Sequence, residues 1–103
     1  MKKMNDVERM IEKLKELIDK NGYDYLTDKP LAVYKELEEA VPNEIITAGA
    51  ILTLLVCGVW DDAKRIEDKE ELSGKLQKKC GFNKKMSDKL ADVIQTLYSE
   101  DNK

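Results

Sequence analysis

The chain has 103 residues, enough for one domain around one core. Apolar residues make up 42% and charged residues 38%, with only two prolines and five glycines, which excludes a disordered or fibrous chain. The net charge of −3 is uneven: residues 24–71 hold five basic and twelve acidic groups, whereas residues 75–89 hold six lysines and one aspartate. Such a dipolar surface bears on association with partners rather than on fold.

The spacing predicts a first helix over residues 6–20. Asn5 is a suitable N-cap, and Glu8 stands where a capping box needs it. Val7, Met10, Ile11, Leu14, Leu17 and Ile18 form one apolar stripe at helical steps. Gly22 ends the helix, and Tyr23 is expected to fold back on Ile18. Residues 23–29 read as a connection. Thr27 or Asp28 then caps a second helix with Pro30 in its first turn. Leu31, Tyr34, Leu37 and Val41 are its expected buried face. Lys35, Glu36, Glu38 and Glu39 are its solvated face.

Pro42 and Asn43 break the chain before the uncharged run IITAGAILTLLVCGVW at 45–60. Sixteen residues at 1.5 Å rise give about 24 Å, short of the ~20 residues that cross a bilayer. A helix apolar all round in a charged chain is predicted to be central and packed on every side. Gly49, Thr53 and Cys57, with Ala50, make a thin stripe where a neighbouring helix is expected to approach closely. The helix is expected to run on past Trp60, with Ala63 and Ile66 continuing its stripe. Cys57 is expected to be a small buried hydrophobe.

Asp68 and Glu71 form a second capping-box pair, opening a fourth helix with Leu72, Leu76 and Cys80 inward. Gly81 ends it, and Phe82 is expected to fold back on Leu76. Asn83 caps a fifth helix, with Met86, Leu90, Val93, Ile94, Leu97 and Tyr98 inward. No run alternates long enough for a strand. The fold class is therefore all-α: a compact five-helix bundle or orthogonal array around a central apolar helix at about 44–60. Residues 1–103 form a single domain, with 1–4 and 99–103 frayed.

The chain has no histidine, the commonest tunable base near neutral pH. The adjacent carboxylates Asp61-Asp62, Glu38-Glu39 and Glu70-Glu71 diverge by about 100° on a helix and do not converge on one point. No calcium loop, phosphate loop, zinc spacing or nucleophile elbow is present. No enzyme activity, cofactor or metal is expected. With no apolar run after the N-terminal lysines, no secretory signal is read, and reduced thiols point to the cytoplasm.

Two surfaces are candidates for binding. The acidic residues Glu36, Glu38, Glu39, Glu44, Asp61 and Asp62 are the first, suited to steering a basic protein partner. The lysines Lys75, Lys78, Lys79, Lys84, Lys85 and Lys89 are the alternative, suited to phosphates. The stretch LQKKCGFNKKMSDKL at 76–90 resembles a helix-turn-helix, with Gly81, Phe82 and Asn83 as the turn. It departs from that outline at Gln77, where a small residue is usual, and at Ser87, where an aliphatic anchor is usual. The expected partner is a protein, with nucleic acid the alternative; no membrane is expected, and the chain is read as a monomer or weak dimer.

A second resemblance covers residues 23–97. The segments YLTD, LEEAVPNE, the apolar run to Gly58, Leu72 and Leu76, Gly81-Phe82 and ADVIQTL are similar to a small helical domain of Firmicutes proteins, often appended to other modules. That family outline carries more aromatic and arginine residues in its last helix. The resemblance implies a bacterial five-helix fold without catalytic residues.

Overall fold

The computed structural model describes residues 5–99. It is all-α, with no strand among the described residues. Five helices of eleven or more residues carry the fold: α1 (Asp6–Asn21), α3 (Pro30–Ala40), α4 (Ile45–Val56), α6 (Lys69–Cys80) and α7 (Lys84–Ser99). Two short helices, α2 (Tyr25–Asp28) and α5 (Val59–Ala63), and a 3-10 turn at Pro42–Glu44 complete it. The fraying expected at 1–4 and 100–103 lies outside the described residues, and Ser99 still belongs to α7.

Local capping sets several boundaries. The Glu8 amide donates to Asn5 Oδ1 at 2.8 Å, and the Asn5 amide donates to Glu8 Oε1 at 3.0 Å, closing the expected box. Asn83 Oδ1 accepts from the Met86 amide at 2.7 Å and starts α7. Asp68 caps α6 through the Glu70 amide at 3.0 Å; the reciprocal bond from Glu71 is not made, so this is a simple cap. α3 starts at Pro30 behind Lys29, with no side-chain cap. Thr27 instead donates to the Asp24 carbonyl, because residues 25–28 close a helical turn of their own.

α3 packs on α1 and α4, while α7 packs on α6, α1 and α4. The core between them holds Met10, Leu14, Leu26, Val33, Leu37, Ile51, Leu54, Leu72, Leu76, Leu90 and Ile94, all essentially without solvent contact. The radius of gyration of 12.7 Å matches the ~13 Å of a compact chain of this length. The inward face of α3 agrees with expectation at Leu37 and Val41, which are buried, and at Tyr34, which packs against the core; it differs at Leu31, which is 68% exposed, while Val33 is buried. Tyr23, half exposed, stacks on Tyr98 at 6.2 Å between ring centroids.

The apolar run does not form one central helix. Gly58 adopts φ +77°, a left-handed conformation that glycine takes without steric cost, and this ends the run of α4 and turns the chain into α5. α4 therefore has α3 and α7 as its long-helix neighbours and is not packed on every side. Thr47, Ala48, Ala50, Ile51, Leu54 and Leu55 face the core, and the opposite side is open. A Cβ placed on Gly49 meets nothing within 4 Å, so the thin stripe is not a close crossing within the chain. Cys57, at the turn, is exposed rather than buried.

Candidate interaction surfaces

At 100° per residue, Ile46, Gly49, Thr53 and Val56 form one stripe on α4, flanked by Ile45 and Leu52. None carries a charge. Ile46 is 77% exposed and Val56 60%. The Thr53 hydroxyl is used inside the helix, donating to the Gly49 carbonyl at 3.0 Å. The helix is thus two-faced in burial but not in composition, and its outer face remains apolar.

The start of this stripe borders a groove of about 310 Å³ between the beginnings of α4 and α7, lined by Asn43, Glu44, Ile46, Thr47, Asn83, Lys85, Met86 and Lys89. Glu44 Oε1 accepts from the Thr47 hydroxyl at 2.6 Å and from Lys89 Nζ at 3.2 Å. The Thr47 hydroxyl, and after it Lys89, hold the Glu44 carboxyl below the usual carboxylate range against the opposing effect of burial. Glu44 therefore ties the 3-10 turn to α7. Lys85 is exposed and makes no ion pair with a described residue.

The other acidic candidates divide. Glu36 pairs with Lys13 at 3.1 Å, joining α3 to α1, and Asp61 pairs with Lys64 at 3.2 Å. Glu38 is half-buried, whereas Glu39 and Asp62 are exposed and pair with no described residue. Three of the six acidic candidates, Glu36, Glu44 and Asp61, thus have internal cations.

The lysine candidates divide similarly. Lys84 Nζ donates to Asp88 Oδ2 at 3.0 Å, an i, i+4 pair on α7, and Lys89 is held by Glu44. Lys75 is half-buried; Lys78 and Lys79 are exposed in the last turn of α6, where positive charge suits the helix dipole. Asp88 also accepts from the Ser73 hydroxyl at 2.6 Å, and the Gln77 amide donates to Ser73 Oγ at 3.3 Å. The Ser73 hydroxyl, then Lys84, hold the Asp88 carboxyl low. Gln77 thereby belongs to a polar clasp between α6 and α7. Ser87 does occupy a core position, fully buried, but its Oγ has no hydrogen-bond partner.

A second groove, of about 410 Å³, runs past Lys64, Glu67, Asp92, Gln95 and Tyr98. The Gln95 amide donates to the Glu67 carbonyl at 2.7 Å, which fastens the α5–α6 connection to α7. Beside it, the buried Trp60 indole donates to the Tyr98 hydroxyl at 2.7 Å. Burial, and then Cys57 nearby, push the Cys80 thiol up, so it keeps its proton at neutral pH and is a poor nucleophile.

Among the described residues no group of three or more histidine, cysteine, aspartate or glutamate side chains could hold a metal ion. Nor is any of their helices long and apolar enough to cross a membrane. No family model matches the chain, and neither a curated protein nor a solved structure matches it.

The exposed stripe on α4 is the feature that sequence reasoning missed. A signal was present: a run of sixteen uncharged residues in a domain too small to surround it.

Proposed function

We propose that the chain is a non-enzymatic protein-interaction module, an adaptor or a regulator that acts in the cytoplasm by covering part of a partner. The exposed apolar stripe of α4 supports this reading. An apolar face that the fold leaves in water is the ordinary mark of a surface that another molecule covers. Lys85, in the groove at the start of the stripe, supplies steering and specificity.

The nucleic-acid alternative has weaker support. It relies on Lys84, Lys85 and Lys89 meeting phosphates from α7, and two of these three already hold carboxylates. A lysine must release its internal partner before it contributes to the salt-dependent attraction that such binding needs.

The test is photo-crosslinking in the cells that make the protein, with the crosslinking amino acid at position 46 and, as control, at position 12. A discrete protein adduct from position 46, absent from position 12, is the expected result. No adduct from position 46, or the same adducts from both positions, overturns the reading.

A further inference from the structure

The charges that border the α4 stripe define the chemistry of what docks there. We propose that the groove between α4 and α7 receives an acidic amphipathic helix of a protein partner, its apolar side chains on Ile46 and Met86 and its carboxylates toward Lys85. This rests on the interaction-module reading and names the partner's chemistry.

The groove floor offers Ile46, which is 77% exposed, beside the half-buried Met86, a flexible side chain that reshapes to fit a guest. Three charged groups line the groove: Glu44, Lys85 and Lys89. Glu44 and Lys89 neutralise each other at 3.2 Å, and Lys85 is left as the uncompensated charge. Ile46 and Met86 are the apolar side chains of the groove and Lys85 its one uncompensated charge, so the complement is an apolar anchor beside a carboxylate. The uncharged stripe continues along α4 from Ile46 to Val56, exposed at both ends and half-buried at Gly49 and Thr53 between them, so the surface has the length of a helix rather than of a single side chain. A helix laid in such a channel anchors through residues at three- and four-residue steps. Gly49, with no atom within 4 Å of its Cβ position, leaves room for close backbone approach at the middle of the stripe.

Two other occupants fit less well. A second copy in parallel register brings Lys85 against Lys85, which repels. An anionic bilayer is flat where this groove is concave.

The test uses fluorescent synthetic helices and the full chain. The probes are a leucine/glutamate amphipathic helix, its leucine/lysine counterpart, and a scrambled leucine/glutamate peptide. Anisotropy measures affinity, and amide chemical-shift mapping locates it. Binding of the leucine/glutamate helix is expected, with shifts at Ile46, Val56, Lys85 and Met86. Ile46→Ala is expected to weaken it about tenfold, the scale of a truncated anchor. Lys85→Glu is expected to abolish it and to admit the leucine/lysine helix instead. Both positions are exposed, so neither change strains the fold.

Equal binding of the scrambled peptide overturns the proposal, as does a site elsewhere on the chain. Preference of the unmodified chain for the leucine/lysine helix overturns it too, while leaving an interaction module that uses its acidic side. Self-association through α4, seen by light scattering and lost in Ile46→Glu, or binding to phosphatidylglycerol vesicles in its place, assigns the stripe to another occupant and likewise overturns it. Failure of all peptides with a persisting crosslink at position 46 removes this inference alone. Loss of that crosslink removes the broader reading.

Discussion

Gly49→Ala tests whether the outer face of α4 is open. Gly49 lies in the middle of a twelve-residue helix and is not among the glycines with positive φ. Alanine therefore fits its backbone without strain. A Cβ there meets nothing within 4 Å, so no packing penalty opposes the change. What remains is helix propensity and the narrower unfolded ensemble, together about 0.5–1 kcal/mol in favour of alanine. For a domain of this size that raises Tm by roughly 3–6 °C. Urea denaturation followed by circular dichroism, at several protein concentrations, is the assay. Gly49→Leu should also be tolerated, whereas a close helix crossing would make it cost about 1–3 kcal/mol. A lower urea midpoint for Gly49→Ala refutes the reasoning, because the added methyl must then meet packed atoms. A loss for Gly49→Leu that grows with protein concentration would show the face covered by another copy.

Leu55→Ala, at a side chain only 4% exposed, should cost about 2–5 kcal/mol through the cavity it leaves, while Glu39→Ala stays within about 0.5 kcal/mol; equal shifts in denaturation midpoint would refute the assignment of the α4 core face. Ser87→Ala removes a buried hydroxyl that has no partner, and should stabilise by about 1 kcal/mol; a loss of stability in the same assay would show that Oγ is satisfied by a buried water. Glu44 and Asp88 both have carboxyl pKa values lowered on folding. Their contribution is thus full above the unfolded-state value, 4.5 for Glu44, and is lost as pH falls through the lower folded value. Stability measured against pH should decline below about 4.5, and Glu44→Gln should flatten part of that decline. An unchanged profile in the variant would show that the Thr47 and Lys89 contacts do not persist in solution.

What could be read from sequence was what lies within a few residues. Asn5 with Glu8, and Asn83 before Met86, are complete devices in one turn of chain, and both form as expected. Asp68 was legible as a cap, but not that its bond would go to Glu70. The facing of α3 was ambiguous, because Leu31, Val33, Tyr34 and Leu37 allow two apolar stripes and only the positions of α1 and α4 choose between them. α4 failed for the opposite reason. A helix apolar all round carries no pattern that says which side is inward. Burial on every side needs more neighbours than four other long helices can place around one axis. Apolar neighbours make Gly58 look like helix interior, although its freedom at positive φ is what ends the helix. Among the candidate site residues, the Lys84–Asp88 pair was readable at i, i+4. The pairing of Lys89 with Glu44 spans 45 positions and has no local trace.

The long-span links converge on α7, and this bears on the order in which the protein can be completed. α7 supplies Lys89 to the turn before α4, Tyr98 to Trp60 of α5, Gln95 to the α5–α6 connection, and Asp92 to Lys69 of α6, the last at 2.9 Å. Each of those recipients is synthesised earlier. While the ribosome is still making residues 84–99, Trp60 has no acceptor for its indole, Glu44 no ammonium, and Leu72 and Leu76 no opposing helix. The emerging chain can form α1 and α3 but cannot close its interior, so its apolar surface stays open until nearly all of these residues have been made. A stop codon shortly before Lys89 would leave four elements without their partners at once, and the product would be a substrate for proteolysis rather than a slightly shorter version of the same domain.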